Sequence, residues 1–472
     1  MKGWSRGLAA AIGLILAGAG APAADRPAPD RKAFLELYRE LVETDTTASA
    51  GDCTRAAAQI GARLKAAGYK DADLHFFTPP GEPKAGGVVA RLDGADADAR
   101  PVLLLAHLDV VEAKREDWSR DPFALVEDGG YFHGRGTSDD KAQAAIYADA
   151  MIRFKREGYK PRRAIKLALS CGEEGGGTGR NGALWLARNH RDWIDAGIAL
   201  NEGRGGALDG NGRKVLLTVE AGEKMYQDFM LEVTNPGGHS SQPLPDNAIY
   251  RLSEALARLS RTDTPVTLND VTRAYFTRMA GIETGETAQA MRDIVKDQGD
   301  KAADAVLSKD RGYHAQLRTT CVATMAEAGH APNALPQRAR ANINCRILPG
   351  TPVEAIRRYL VDAVADSQIS VTAVAPFATG IEIPPLTPEV MGPIERLAGE
   401  MFPGVPIVPT LANWGTDGRF LNEVGIPTFG IDALFRDPDF SNVHGLDERV
   451  RVQSLFEDRD FLFRLAKLYA EK

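Results

Sequence analysis

Cysteine and histidine are scarce in this sequence, which has four cysteines and eight histidines in 472 residues. Four cysteines without a CxxC pair exclude a disulfide-rich scaffold and give no sign of a zinc ribbon. An excess of basic residues is also absent, because 64 acidic residues outnumber 57 basic ones, and the net charge of −7 argues against nucleic-acid binding. The hydrophobic share of 44% and the charged share of 26% are those of an ordinary globular protein, and the length suits two or three domains of about 150 residues each.

Long hydrophobic stretches are absent after the N-terminus. There, Lys2 and Arg6 precede a run of roughly 14 apolar residues that begins at Leu8, and small residues follow it. This pattern is typical of a secretory signal peptide over residues 1–24, cleaved near Ala23–Ala24. A membrane anchor is the alternative, but a membrane span needs about 20 apolar residues. We therefore expect an exported protein, periplasmic or secreted, without a stable membrane span.

Export bears on the four cysteines, because an oxidising compartment would allow Cys53, Cys171, Cys321 and Cys345 to form disulfides. The sequence leaves their pairing open, and only the position of Cys321 and Cys345 in one segment suggests that these two pair. The leader itself has no cysteine, so nothing indicates a lipid anchor.

The first 200 residues alternate helical and strand-like segments. The stretch 101–111 is almost continuously apolar, which is typical of a strand buried on both faces of a parallel sheet. Apolar residues at three- and four-residue spacing predict a long helix over 140–157. Further helices are predicted over 31–44, 53–67 and 182–189, and further strands over 164–170 and 197–200. This order predicts an α/β catalytic domain with a mostly parallel sheet covered by helices.

A change of pattern near residue 222 predicts a second domain inserted into the first. Its predicted order is β-α-β-β-α-β, an α+β arrangement, with strands over 225–234, 317–326, 338–347 and 369–374 and helices over 247–260 and 352–365. The polar segment 281–310 is predicted to be helical and solvent-exposed. The first pattern resumes with a helix over 387–401, a strand over 425–431 and a C-terminal helix. The predicted division is therefore 25–221, 222–378 and 379–472.

Candidate metal ligands collect where predicted strands end. Each has an ordinary structural alternative: paired aspartates can cap a helix, and paired glutamates can lie on a solvated loop. Their repetition favours a shared site, because the carboxyl ends of strands meet at one edge of an α/β sheet. Crowded carboxylates repel one another unless cations neutralise them, and two zinc ions suit imidazole and carboxylate ligands. The candidates are His107 and Asp109, Asp139 and Asp140, Glu173 and Glu174, Glu202, and His444.

These candidates lie in the motifs HLDV at 107, GRGTSDDK at 134, EE at 173, NEG at 201 and NVHG at 442, with GHS at 238 between them. With these motifs in this order, the sequence resembles the di-zinc peptidases that include aminoacylase, carboxypeptidase G, carnosinase-type dipeptidases and succinyl-diaminopimelate desuccinylase. The resemblance covers nearly all of the chain after the leader. It implies a zinc-binding α/β domain interrupted by a smaller lid domain, through which a homodimer often forms.

The resemblance also implies the metal ligands. Two zinc ions per chain are expected, although cobalt or manganese can occupy such sites. A cis peptide is expected between Asp139 and Asp140. The ligands carried over by motif are His107, Asp139 and Glu202 for one ion and Asp139, Glu174 and His444 for the other, with Asp139 bridging both.

Three further residues are expected to serve the reaction. Glu173, next to a ligand, would act as general base for a metal-bridging hydroxide that attacks the amide carbonyl. Asp109 would orient His107 from behind, since residues two apart on a strand project to the same side. By resemblance, His239 on the lid would stabilise the oxyanion, reaching into the site of a partner subunit.

Substrate recognition is expected from the lid and from a glycine-containing loop. Arg346 and Asn333 match the family residues that bind a substrate carboxylate, and a guanidinium presents a planar fork suited to that group. The loop corresponds to Gly415 and Thr416. Trp414 precedes it where small residues are common in the family, which would reshape the pocket.

The predicted function is hydrolysis of an amide bond in a small substrate with a free carboxylate, as in a carboxypeptidase or dipeptidase. An N-acyl-amino-acid deacylase is the alternative, because it uses the same metals and base. A non-catalytic exported metal- or peptide-binding protein is the alternative from another class. Glu173 argues against it, since metal storage does not need an unligated carboxylate beside the ions. The sequence does not decide between a peptide and an N-acyl amino acid.

Overall fold

The computed structural model describes residues 29–175, 177–376 and 382–472. The predicted signal peptide, its cleavage near Ala23–Ala24 and the predicted boundary at 378–379 lie outside the described residues. None of the helices in the described part of the chain combines the length and the apolar character that crossing a bilayer requires.

The first part of the chain forms helices and strands that alternate as predicted, with several short strands added. In chain order they are α1 Pro29–Val42, α2 Cys53–Ala66, β1 Leu74–Phe77, β2 Gly87–Leu92, β3 Val102–His107, β4 Val126–Asp128, β5 Tyr131–His133, α3 Lys141–Arg156, β6 Ile165–Ser170, α4 Gly177–Arg180, α5 Gly182–Asn189, α6 Arg191–Ile194, β7 Ile198–Asn201, β8 Gly206–Leu208 and β9 Lys214–Glu223.

The middle part contains the predicted β-α-β-β-α-β order with additional helices. Its elements are β10 Met225–Thr234, β11 Gly238–His239, α7 Ala248–Leu259, α8 Asp270–Met279, α9 Gly285–Lys296, α10 Lys301–Leu307, α11 Arg311–Leu317, β12 Thr320–Ala328, β13 Ala334–Leu335, β14 Arg338–Ile347, α12 Val353–Val364 and β15 Ser370–Ala373.

The last part returns to the α/β pattern. Its elements are α13 Pro388–Met401, β16 Ile407–Ala412, α14 Gly418–Glu423, β17 Thr428–Gly430, β18 Phe435–Arg436, β19 Arg449–Arg451 and α15 Val452–Ala470.

The large sheet draws strands from the first and last parts of the chain. Its order is β1-β2-β6-β3-β7-β17-β9-β8-β18, with β16 paired to β9. The central strands β6, β3, β7 and β17 are parallel, which confirms the predicted α/β fold with a mostly parallel central sheet. Strand β3 is buried throughout, and its alternate residues enter different cores. Leu104 packs with α1, α2 and α3, whereas Leu105 packs with α5 and α14.

The small sheet has the order β12-β14-β10-β15 and is antiparallel throughout. Alternation in β10 and β14 buries one face: Phe229, Leu231 and Ile343 pack under α7 and α12. This confirms the predicted α+β domain inserted between the halves of the large sheet. The exact domain limits at 221–222 and 378–379 stay predictions.

One expectation about this part is wrong. The segment 281–310 is helical as predicted, but it is not solvent-exposed along its length. Met291, Ile294 and Leu307 are buried in a core that also contains Val408 of β16. The helices α8 to α11 therefore pack on the edge of the large sheet. The polar composition of the segment reflects the outer faces of these helices, whereas their apolar inner faces are buried.

The four cysteines form two disulfides, Cys53–Cys171 and Cys321–Cys345. Cys321 and Cys345 lie opposite each other in the β12–β14 register, and their suggested pairing is confirmed. The other bond joins the start of α2 to the loop after β6, two residues before Glu173.

Candidate metal centre

Three neighbouring parallel strands deliver candidate ligands to one edge of the large sheet. His107 is the last residue of β3, Glu173 and Glu174 follow β6, and Glu202 follows β7. Since β6, β3 and β7 run parallel and adjacent, their carboxyl ends meet. The sequence predicts that these side chains converge because they follow neighbouring parallel strands. In the structure they do lie close together.

Two groups of side chains at this edge have the composition of metal sites. Within each group, one potential ligand atom per residue lies within 4.8 Å of the others. Asp139 belongs to both groups, because its Oδ1 lies 3.2 Å from His107 Nε2 and its Oδ2 lies 3.1 Å from His444 Nε2. The groups contain the same residues that the motifs indicate, namely His107, Asp139 and Glu202 in one and Asp139, Glu174 and His444 in the other.

The donor atoms fit a pair of divalent ions. His107 Nε2 lies 3.4 Å from Glu202 Oε2, and His444 Nε2 lies 3.0 Å from Glu174 Oε2. Tetrahedral ligands at about 2.0–2.2 Å from zinc lie roughly 3.3–3.6 Å from one another, so the spacing is close to that of a coordination shell. Glu202 Oε1 is also buried without a hydrogen-bond partner among the described residues, as expected of an atom whose partner is an ion.

Burial and neighbouring charges shift the pKa values of the ligand side chains. Hydrogen bonds to Asp139 and Glu174 raise the pKa of His444 to about 10. Burial alone would lower the pKa of His107, but the Glu202, Asp109 and Asp139 carboxylates raise it well above its ordinary value. Burial raises the pKa of Glu174 to about 7 despite its hydrogen bond to His444.

Zinc uptake by the metal-free protein should therefore release protons. Imidazole coordinates metals only when neutral, whereas the raised pKa values keep His107 and His444 protonated at neutral pH. We expect about two to three protons released per chain at pH 7, one from each imidazole and a fraction from Glu174, and an affinity for zinc that increases with pH. Titration calorimetry in buffers of different ionisation enthalpy measures this number. A binding enthalpy that is the same in all buffers would contradict the protonation described here.

Asp109 connects ligands of both groups. Its backbone carbonyl lies 3.0 Å from His107 Nδ1, and its carboxylate Oδ1 lies 3.5 Å from the same nitrogen. The other oxygen, Oδ2, accepts a hydrogen bond of 3.0 Å from the backbone N–H of Glu174. The backbone carbonyl thus makes the closer contact to the imidazole, and the carboxylate also fixes the loop after β6.

Asp140 makes a contact that the sequence did not indicate. The peptide bond between Asp139 and Asp140 is cis, as the resemblance implies. The Asp140 carboxylate is buried and accepts a hydrogen bond of 3.2 Å from the backbone N–H of His107. It therefore ties the end of β3 to the turn that carries Asp139.

Glu173 lines the same cavity as the ligands. This cavity has a volume of about 260 Å³, and Asp139, Glu174, Glu202 and His444 also line it. Burial and the neighbouring Glu202 carboxylate raise the pKa of Glu173 well above its ordinary value. Glu173 is in neither ligand group, and its expected role as general base stays a prediction.

The loop that carries His444 has an unusual backbone. Four of its residues have φ near +60°, a left-handed backbone conformation that residues with a Cβ rarely adopt: Phe440, Ser441, Asn442 and His444. Asp439 supports the loop, because its Oδ1 accepts a hydrogen bond of 3.0 Å from Ser441 N and its Oδ2 lies 2.7 Å from Arg449 Nη2. Such conformations concentrate at functional sites, where the surroundings hold them.

The remaining predicted residues divide between the loop at Gly415 and Thr416, which lies beside the ligands, and the lid, whose residues do not line their cavity. Among the described residues that line the metal cavity, Gly415 is present but His239, Asn333 and Arg346 are not. His239 and Asn333 are exposed neighbours on the lid, where Ser240 N donates to the Asn333 carbonyl at 3.1 Å. The Arg346 guanidinium stacks 4.8 Å from the Tyr226 ring. The roles assigned to these residues stay predictions.

Glu223 is a further residue that sequence reasoning missed. Its Oε2 accepts a hydrogen bond of 2.5 Å from Thr416 N, and it shares a small cavity with Glu202 and Thr416. Burial raises the pKa of Glu223 to about 8. No local pattern marks it, since its partner lies 193 residues further along the chain.

Several known proteins are similar to this chain in sequence. The profile described as "Peptidase family M20/M25/M40" matches residues 103–468. Human N-fatty-acyl-amino acid synthase/hydrolase is 28% identical over 79% of this chain and 75% of its own length. The probable carboxypeptidase S-like 2 of Dictyostelium discoideum is 28% identical over 79% of this chain and 72% of its own length.

Solved structures share the fold. An M20 family metallo-carboxypeptidase from Sulfolobus solfataricus, 18% identical, matches with a TM-score of 0.66 and covers 93% of this chain and 99% of its own. Human carnosine dipeptidase 1, 16% identical, matches with a TM-score of 0.61 and covers 94% of this chain and 97% of its own.

Proposed function

Because this chain belongs to peptidase family M20/M25/M40 and is a hydrolytic enzyme, we propose that it uses two metal ions to cleave an amide bond in a small substrate with a free carboxylate. The single observation that carries this proposal is the pair of ligand groups sharing Asp139, with the unligated Glu173 in the same cavity. The two ions are zinc in this proposal, since imidazole and carboxylate are its usual ligands.

The residues of the cavity have different roles in the proposed reaction. When bound, two such ions would polarise the scissile carbonyl and acidify a water molecule. The Glu173 carboxylate accepts the proton of that water and passes it to the nitrogen of the leaving amine. Asp109 and Asp140 hold His107 and the turn of Asp139 in place meanwhile.

We propose that the free carboxylate of the substrate is bound by Arg346, Asn333 and the loop at Gly415 and Thr416. A guanidinium can donate two parallel hydrogen bonds to a carboxylate. Closure of the lid would have to bring Arg346 to the cavity.

Replacing Arg346 with methionine should lower kcat/KM by roughly 10- to 150-fold for substrates with a free carboxylate. Hydrogen bonds to charged groups contribute about 1.5–3 kcal/mol, which corresponds to this factor. Steady-state kinetics with a substrate and its C-terminal carboxamide measures the effect, and the carboxamide should lose little. Arg338→Met, at the exposed start of the same strand, is the control. Equal losses for the acid and the carboxamide would remove Arg346 from this role.

The walls of the metal cavity favour a second candidate, an N-acyl-amino-acid hydrolase. Trp414, Phe440 and Val443 line the cavity together with Arg436. The Arg204 guanidinium lies 5.9 Å from the centre of the Trp414 ring and 5.6 Å from the centre of the Phe440 ring. An apolar surface with guanidinium groups suits a neutral acyl group better than the ammonium group of a free dipeptide.

The carboxylates of the cavity lead to the same preference. Every described carboxylate in the lining already has a role: three belong to the ligand groups, Glu173 is the proposed base and Asp140 holds His107. None remains to bind a substrate ammonium group. The names of the human and Dictyostelium relatives, an N-fatty-acyl-amino acid synthase/hydrolase and a probable carboxypeptidase S-like 2, are compatible with a neutral acyl side.

A substrate panel with metal analysis tests these proposals. Free dipeptides, N-blocked dipeptides and N-acetyl and N-octanoyl amino acids are compared by kcat/KM on protein of measured zinc content. Hydrolysis that depends on about two metal ions per chain supports the proposed function. Higher kcat/KM for blocked and N-acyl substrates supports the second candidate, and preference for free dipeptides contradicts it. If the protein as isolated contains no metal and hydrolyses none of these substrates, the alternative of a non-catalytic binding protein is favoured.

We further propose a homodimer through the lid. Strand β12 lies at one edge of the small sheet, where no further strand of the described residues pairs with it, and Val322 is 59% and Met325 71% exposed. His239 would then act across the interface on the oxyanion. Val322→Lys should shift the protein from dimer to monomer in sedimentation velocity and lower kcat. Wild-type protein that sediments as a monomer would contradict this.

Export is proposed from the leader pattern at residues 1–24. The two disulfides support it, because such bonds persist in oxidising compartments and are rare in the cytosol. The location would be periplasmic or extracellular.

A further inference from the structure

A buried carboxylate outside both ligand groups lies beneath the turn that carries Asp139. Glu448 has no exposed surface and follows His444 by four residues. Its Oε1 accepts hydrogen bonds from the backbone N–H groups of Ser138 at 2.8 Å and Asp139 at 3.2 Å. Its Oε2 accepts a third from the backbone N–H of Gly136 at 3.1 Å.

Arg135 completes the contact from the opposite direction. Its Nη1 lies 2.8 Å from Glu448 Oε2, so the buried negative charge has a cation beside it. Its Nη2 donates to the carbonyl of Gly445 at 2.8 Å, next to His444. The turn therefore holds the His444 segment through Arg135, and the His444 segment holds the turn through Glu448.

We propose that Glu448 is a positioning residue that sets the Asp139 turn against His444 and thereby tunes the affinity of the metal centre. The inference rests on the proposed metal sites. Asp139 and His444 come from distant parts of the chain, yet Oδ2 of Asp139 lies 3.1 Å from His444 Nε2, so the position of the turn decides how these two groups face a shared ion. A carboxylate that gathers three backbone N–H groups fixes the turn more closely than a single ion pair could.

The geometry separates this role from that of an ordinary buried ion pair. Buried pairs can often be replaced by apolar side chains with little loss, because burial of the charges offsets their attraction. Glu448 differs, since its oxygens are also the acceptors for the backbone next to the bridging ligand. Residues that orient ligands in this way typically change metal affinity by about 10- to 100-fold when replaced.

The chain offers a matched control. Asp149 in α3 is also a buried carboxylate paired with a buried arginine, and its Oδ2 lies 2.8 Å from Arg459 Nε. It belongs to neither ligand group and does not bond to the Asp139 turn. Asp149→Asn should therefore destabilise the protein without changing how it binds metal.

The test compares Glu448→Gln with Asp149→Asn in the full-length mature protein. Zn²⁺ affinity is measured by competition with a chromophoric chelator, the visible spectrum is recorded after Co²⁺ substitution, and Tm is measured without metal. We expect Glu448→Gln to bind zinc about 10- to 100-fold more weakly and to alter the cobalt spectrum. Asp149→Asn should lower Tm and leave both metal readouts at wild-type values.

Glu448→Asp keeps the charge but shortens the side chain, and it serves if the glutamine variant does not fold. It should weaken zinc binding in the same direction. Wild-type zinc affinity and an unchanged cobalt spectrum in the Glu448 variants, with a lowered Tm, would reduce Glu448 to a structural role and overturn the inference alone. A wild-type protein that binds no zinc would overturn the proposed metal centre and this inference with it.

Discussion

Glu173→Gln should lower kcat by about 10²- to 10⁴-fold, the range that general acid–base catalysis contributes. Glutamine keeps the size of the side chain but cannot accept a proton. Because Glu173 lines the cavity without belonging to either ligand group, the zinc content should stay near that of the wild type. Alanine at this position should have the same effect.

Steady-state kinetics paired with metal analysis measures this result. The acidic limb of the kcat/KM profile should also disappear in the variant, since it reports the protonation of the base. Glu127→Gln, on the exposed strand β4, is the control. Activity that survives the change at Glu173 would show that another group moves the proton.

Asp139→Asn should remove both metal ions from the centre together and abolish detectable turnover. The two oxygens of Asp139 face His107 and His444 separately, so one substitution removes a ligand charge from each group. The amide that replaces the carboxylate has one oxygen acceptor instead of two, and its nitrogen is a donor. Loss of a bridging charge also leaves two neighbouring cations less well neutralised.

Zinc titration and kcat/KM measure the outcome, with Asp98→Asn on an exposed loop as the control. A variant that keeps two zinc ions per chain at wild-type affinity would show that Asp139 does not bridge. A variant that keeps one ion would show that the two groups are more independent than their shared residue suggests.

The sequence predicts most of the elements that carry the site. Strand β3 is recognisable because it is apolar up to its last residue, His107, and α3 because its apolar residues recur at three- and four-residue spacing. Strands β4, β5 and β18 are only two or three residues long and leave no periodic pattern. The burial of α9 and α10 depends on the partner surface around Val408, which no local pattern reveals.

His107, Glu174 and Glu202 are visible in the sequence because each lies at the carboxyl end of one of three adjacent parallel strands. Asp139 instead follows β5 of a separate antiparallel sheet, and His444 follows the edge strand β18.

The residues that hold those ligands are not visible. Glu448 reaches the Asp139 turn across 310 residues, and Asp417 accepts a hydrogen bond from Ser170 across 247. The Asp140 contact to His107 also depends on the fold of the turn. Sequence separations of this size carry no spacing rule, so only the folded chain identifies these partners.

The pairing of early and late segments has a consequence for the order of events in the cell. His444 meets Glu174 across 270 residues, and β17 joins β7 only after the whole insertion has been made. A chain delivered from its N-terminus would thus have no complete binding site until nearly all of it has arrived and folded. Metal loading would then take place where folding ends. Such sites select metals partly by availability. The metals present in the compartment where the chain folds would therefore decide which ion the enzyme carries, rather than the order of affinities of the ligands.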